Sequence, residues 1–211
     1  MAFVVDRDLV VLEPNLFRDV VFDAQVLATA DDAVVAGTVL TSIGSDFVAA
    51  GVDGGAVAVV DGVSLEVVAR LSALSLSLSR VRSDGEGALL PPTAGSDVSV
   101  RVSTFGPQVA EAEARVLRSL GVSDAVLSGE TVPAALVGSG IRRVVVLAAL
   151  ELVYAAASTR AEGSDPYWAR SVWYGERARQ ELRRVGARLD GDGDGIADSV
   201  RRVQPSRLVR E

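Results

Sequence analysis

Ile141-Arg-Arg-Val-Val-Val-Leu-Ala-Ala-Leu-Glu-Leu-Val-Tyr-Ala-Ala-Ala-Ser-Thr159 holds a dense apolar run broken only by Glu151, and reads as a buried helix. Ser164-Asp165-Pro166 then opens a second helix, expected over Asp165–Leu189, with a capping residue followed by proline in the first turn, where proline is tolerated. Along it Trp168, Val172, Gly175, Leu182, Val185 and Leu189 recur every three to four residues and predict one buried stripe. Arg170, Arg177, Arg179, Arg183, Arg184 and Arg188 fall between them as an arginine-rich outer face. Asp190-Gly-Asp-Gly-Asp-Gly-Ile-Ala-Asp198 closes this helical hairpin with an acidic, glycine-spaced loop.

Working outward, the period changes. Between Phe17 and Phe105, short valine- and leucine-rich runs alternate with polar residues and are cut by Gly, Asp and Ser clusters, which predicts an all-β unit. The candidate strands are Val20–Leu27, Val34–Leu40, Ala56–Asp61, Leu65–Leu71, Leu74–Arg82 and Val98–Thr104. Leu74-Ser-Leu-Ser-Leu-Ser-Arg80 alternates strictly, so its leucines share one face. Asp61-Gly62 is a tight-turn signal between two runs. Closure into a small barrel or sandwich would remove the exposed edges. Asp6–Leu12 predicts a short helix or turn before Pro14, and Pro107–Leu120 an amphipathic helix with Gly121 past its end.

The fold expected from these periods is α+β: a helical bundle of three main helices with a small all-β barrel or sandwich inserted near the N-terminus. Its segments are 1–16 (part of the helical domain), 17–105 (the β insertion), 106–199 (the bundle with its acidic loop) and 200–211 (an extended tail).

Composition removes most chemistries. The 211 residues carry no cysteine and no histidine, so thiolate chemistry and the commonest general base are absent. All 21 basic residues are arginine. A net charge of −7 argues against a surface built to grip nucleic acid. The N-terminal residues lack the basic start and apolar core of a signal peptide, so a cytoplasmic site of assembly is expected. Val144–Ala157 is too short to span about 30 Å of hydrocarbon. No carboxylate pair stands out, and no enzyme is expected.

The acidic loop is the sharpest local signal. Asp190, Asp192 and Asp194 alternate, Gly195 supplies a turn, and Asp198 stands at the ninth position. Hard oxygen ligands at such spacing suit calcium, with Ile196 offering its backbone carbonyl. Position 12 is Arg201, where an EF-hand loop carries glutamate. The competing reading is a solvated acidic turn balanced by Arg188, Arg201 and Arg202. Glu151 reads more readily as the partner of an arginine on the facing helix than as a catalytic carboxylate. Tyr167, Trp168, Trp173 and Tyr174 form an aromatic cluster suited to core or interface packing.

The order of parts carries a resemblance. Asp46-Phe-Val-Ala-Ala-Gly-Val52, Val57-Ala-Val-Val-Asp-Gly62 and Leu65-Glu-Val-Val68 precede the Gln108–Leu120 helix. The Ala148–Ala157 helix follows, then the Trp168–Leu189 helix with Trp173, Tyr174, Glu176 and Arg177 at its centre, and last Asp190–Asp198. This arrangement resembles the head-to-tail connector (adaptor) proteins of tailed bacteriophages, in a version with a small β-barrel near the N-terminus. The resemblance implies a ring, commonly of twelve copies, in the virion neck. It would be assembled in the bacterial cytoplasm, docked on the portal protein, open to passing DNA without specific binding, and followed by a stopper or other neck component. It further implies a portal-binding tail (Val203, Arg207, Leu208, Val209, Arg210) and contacts between neighbouring copies through Trp173, Arg177, Arg183 and Arg184. The alternatives are a calcium-dependent binding module of a secreted or surface protein, and a small carboxylate-based enzyme.

Overall fold

The computed structural model describes residues 3–120, 139–159, 165–189 and 199–202. The chain divides into two units, Val5–Pro107 and Met1–Val4 with Gln108–Glu211.

The first unit begins with helices α1 (Asp6–Leu12) and α2 (Leu16–Asp19) and a 3-10 turn at Asp23–Gln25. Six strands follow: β1 Val26–Ala36, β2 Val39–Thr41, β3 Val57–Val60, β4 Val63–Arg70, β5 Ser75–Arg80 and β6 Gly95–Ser103. They close into an antiparallel barrel in the order β1-β2-β5-β4-β3-β6. β1 serves two neighbours, pairing Val34–Ala36 with β2 and much of its length with β6. Register shifts along it, one of them across Asp31 and Asp32, bend the strand so that the sheet can meet itself. At the β3–β4 turn Asp61 (φ 46) and Gly62 (φ 80) both take the left-handed conformation, and Val60 pairs with Val63 across it. Two positive φ angles in a two-residue loop give the turn whose twist matches the strands, as Asp-Gly predicts.

Leu76 and Leu78 of β5 enter the barrel core with Leu40, Leu65, Val67 and Val100. Ser77 and Ser79, which alternate with these leucines, face away from that core but are buried too. Ser79 is fully buried; its hydroxyl donates to the Arg80 carbonyl and accepts the Leu90 N–H, holding the following loop over the strand. Phe47 and Val52, from the connection between β2 and β3, are fully buried in the same core.

The second unit contains most of α3 (Gly106–Ser119) and all of α4 (Ser139–Ala157) and α5 (Pro166–Leu182). It also holds a two-stranded antiparallel sheet, β7 (Gly186–Leu189) with β8 (Ser199–Arg202). Residues 144–150 of α4 are buried all round, as an uninterrupted apolar run requires. The Glu113 carboxylate of α3 accepts the N–H groups of Phe3 and Val4 and so ties the first residues to this unit.

The expected architecture, a three-helix bundle with an inserted β-unit, is not what forms. The β-unit is a closed six-stranded barrel, and among the described residues five α-helices accompany it. Helices α1 and α2 belong to the barrel's unit because Leu9, Val10, Leu16 and Phe17 are buried there, Phe17 against Phe105 with ring centroids 4.5 Å apart. Local periodicity identifies such helices but not the surface that buries them. Val20–Leu27 is not a strand: it leaves α2, passes through the 3-10 turn and reaches β1 only at Val26. Val34–Leu40 is a hairpin joining β1 to β2. The second long helix ends at Leu182, and Gly186–Leu189, expected as its last turn, is a strand because it has β8 to pair with.

Candidate interaction surfaces

Helix α5 begins at Asp165, whose carboxylate accepts the N–H groups of Tyr167 and Trp168, with Pro166 in the first turn. It also accepts from the Ser158 hydroxyl and the Thr159 N–H, joining the end of α4 to the start of α5. Desolvation pushes this carboxyl upward, yet the hydrogen bonds from Tyr167, Ser158, Trp168 and Thr159 outweigh it and hold Asp165 below the usual carboxylate range.

The face of α5 that packs inward is made of Ser171, Tyr174, Gly175 and Ala178. This is rotated from the expected stripe, since Val172 is exposed. Small residues let α4 approach, and Glu151 of α4 uses the room above Gly175. Its carboxylate lies 3.1 Å from Arg115 of α3 and 3.7 Å from Arg179 of α5. Glu151 therefore serves as the ionic centre of three helices. Beside it, the buried Tyr154 stacks with Tyr167 and Tyr174 at centroid distances of 6.0 and 5.8 Å. Arg170 donates to the Tyr154 hydroxyl at 2.9 Å.

The opposite face of α5 is open. Trp173 is 52% exposed, and the Arg177 guanidinium lies 5.6 Å from the Trp173 ring centroid. Trp173, Arg177 and Gln180 share one stripe at helical spacing, which runs on to Arg183 and Arg184 just past the helix end. Arg177, Arg183 and Arg184 are exposed, and among the described residues no ion pair engages them. An exposed tryptophan beside arginines has the composition of interface anchors. Of the four residues expected at an inter-subunit contact, Trp173 and Arg177 share one helix face, and Arg183 and Arg184 follow just past its end.

The other expected sites fall elsewhere. Asp190, Asp192, Asp194, Ile196 and Asp198 lie outside the described residues, as do Val203, Arg207, Leu208, Val209 and Arg210 of the tail. What is described is the frame of the acidic segment, with Leu189 of β7 paired to Ser199 of β8. Among the described residues no cluster of three or more acidic groups could hold a metal ion.

Two buried carboxylates in the barrel unit were not singled out from the sequence. Glu66, 1% exposed on β4, accepts from Arg7 of α1 and Arg82 of the loop after β5. Arg7 also donates to the Arg82 carbonyl at 2.6 Å, and Arg82 to the Gly87 carbonyl. This triad fastens helix, strand and loop to one another. Asp6 of α1 is buried and accepts the Phe105 N–H at 2.8 Å. Burial pushes its pKa up to about 6, against hydrogen bonds from Thr104 and Phe105 that lower it. The lone acid between Leu65 and Val67 was the available signal for the triad. Its partners, 59 and 16 residues away, leave no local spacing to read.

No protein-family model, no curated protein and no solved structure matches this chain.

Proposed function

We propose that this chain is a structural subunit of a tailed-bacteriophage neck, a head-to-tail adaptor that works by shape and contact without catalysis. In this reading copies form a ring, commonly of twelve, that docks on the portal protein and extends the DNA channel. The ring then presents a surface to the stopper or next tail component. The observation that carries the reading is the open face of α5, where Trp173 stands exposed against Arg177 with Arg183 and Arg184 beyond it. About half of Trp173 stays in water in a lone chain, whereas a neighbouring copy or partner would bury it. The net charge of −7 suits a channel through which DNA must slide without sticking. No described helix is long and apolar enough to cross a membrane.

Calcium has a structural place in the same reading. The antiparallel pairing of Leu189 with Ser199 brackets nine residues that carry four carboxylates, a hard-oxygen donor set of the kind calcium prefers. Asp190, Asp192, Asp194 and Asp198 with the Ile196 carbonyl would supply the ligands.

The test is the mass of the full chain in solution, alone and mixed with portal rings, with and without calcium. Ring-sized assembly on the portal is the expected result. A protein that stays monomeric beside the portal and changes only its ligand binding with calcium would instead favour a calcium-dependent binding module.

A further inference from the structure

Charge is divided unevenly between the two units. Val5–Pro107 holds 14 acidic residues against 6 arginines, a net of −8, while the remainder of the chain is close to neutral. Several of the barrel unit's arginines are occupied internally. Arg7 and Arg82 hold Glu66, Arg70 donates to the Val52 carbonyl, and Arg101 donates to the Phe17 carbonyl.

One end of the barrel is also apolar. The Ser42 N–H donates to the Leu74 carbonyl at 2.9 Å and the Phe47 N–H to the Ala73 carbonyl at 2.7 Å, which sets the loop after β2 against the β4–β5 turn. Buried Phe47 anchors this loop from below. In the two segments so joined, Ile43 is 83% exposed, Val48 53%, Leu71 55% and Leu74 40%. Exposed carboxylates flank the group: Asp32 accepts the Ser42 hydroxyl at 3.1 Å, and Asp46 accepts the N–H groups of Val48 and Ala49. An apolar centre with an acidic rim requires an occupant with an apolar or aromatic centre and a basic rim.

We infer that this barrel end docks the Trp173–Arg177–Arg184 face of α5 from a second copy of the chain. The inference rests on the ring reading and names its interface. Carboxylates rim the barrel end and arginines the α5 face, so each patch repels its own kind and attracts the other. Trp173 and Val172 supply the apolar centre, and Arg177, Arg183 and Arg184 the basic rim. A contact between unlike patches leaves one free patch of each kind at the ends. It therefore propagates from copy to copy and closes as a ring when the rotation permits.

The experiment uses the full chain and two surface variants, Ile43→Arg/Leu71→Arg and Trp173→Ser/Arg177→Ser, with circular dichroism and melting curves confirming that each is folded. Mass is followed by sedimentation at low and high salt, alone and on portal rings. Each variant is expected to weaken self-association by about tenfold or more, because each removes residues from the centre of the contact. Mixing the two variants should restore one intact contact and stop at a 1:1 pair, the signature of an interface between unlike patches. Wild-type assembly that persists in both variants, or that is lost in only one of them, overturns this interface and leaves the ring standing. A wild-type chain that stays monomeric at every salt and on the portal overturns both.

Discussion

A Cβ placed on Gly175 of α5 would stand 2.5 Å from Oε1 of Glu151 on α4, so the glycine is the space that the carboxylate occupies. The carboxylate cannot step aside without loosening its contacts to Arg115 and Arg179. Gly175→Ala is therefore expected to realise little of the roughly 1 kcal/mol that alanine's helix propensity offers, because the carboxylate must shift and loosen two ion pairs to half-exposed arginines, each worth up to about 1 kcal/mol. In a Glu151→Ala background the obstacle is gone and the same change should stabilise. Urea unfolding of the two single variants and the double variant measures this difference between the backgrounds. Equal effects in both backgrounds would show that the two residues do not compete for space.

Glu66 sits between Arg7 and Arg82, whose side chains are 15% and 8% exposed. Removing its charge leaves two guanidinium groups in a site that water barely reaches. Glu66→Gln should cost about 3–5 kcal/mol, the size seen when one member of a buried ionic group is lost. The triple variant Arg7→Met/Glu66→Leu/Arg82→Met, which removes every charge, should recover more than half of that loss. Denaturant midpoints with unchanged slopes decide it. A triple variant as unstable as Glu66→Gln would mean that the hydrogen bonds to the Arg82 and Gly87 carbonyls matter more than the charges.

How far the fold could be read depended on whether its cause was local. The alternation of Leu74–Arg80 gave β5, Asp61-Gly62 gave the β3–β4 turn, and the approach to Pro14 gave α1 within its observed bounds. β1 was hidden because Ala28-Thr-Ala-Asp-Asp-Ala33, its centre, is made largely of poor strand formers. Ala28, Thr29, Ala30 and Ala33 are extended because β6 pairs with them across the barrel closure. The buried face of α5 was misread for a related reason. Large apolar side chains such as Val172 mark a core stripe in sequence, but close helix packing here selects Ser171, Gly175 and Ala178. Of the candidate site, spacing marked Arg177, Arg183 and Arg184 as an outer arginine face, but it did not show that Trp173 stands exposed beside Arg177. The apolar end of the barrel with its acidic rim was not legible either, since it joins residues 42–48 to 71–74 through tertiary hydrogen bonds.

The acidic segment between β7 and β8 makes a separate prediction. Four aspartates within nine residues repel one another, and a bound cation would relieve that repulsion. Millimolar calcium should raise the melting temperature of the wild-type chain, since a ligand that binds only the native state stabilises it by mass action. Asp192→Asn/Asp194→Asn should abolish the calcium response while raising the melting temperature in its absence. Calorimetry showing no heat of calcium binding, together with melting curves that ignore it, would establish a solvated turn balanced by arginine.

Asp6 sets a pH dependence of the opposite sense to that of most carboxylates. Its pKa in the folded chain is about 6, against 3.8 for the unpaired group. Between these values the folded state holds a proton that the unfolded state releases, so the Asp6 contribution to stability falls as pH rises and is lost above about pH 6. The full swing is about 3 kcal/mol, at about 1.4 kcal/mol per pKa unit. Asp6→Asn keeps an acceptor for the Phe105 N–H and has no charge to bury. The stability of wild type minus that of Asp6→Asn should therefore decline from pH 4 to pH 6.5, with other carboxylates cancelling in the difference. At pH 7 the variant should be the more stable of the two. Asp6→Ala, which strands the Phe105 N–H, should be less stable than Asp6→Asn at every pH by about 1–3 kcal/mol. A difference curve that is flat, or that rises with pH, would show that the Phe105 and Thr104 hydrogen bonds outweigh the desolvation of the carboxylate.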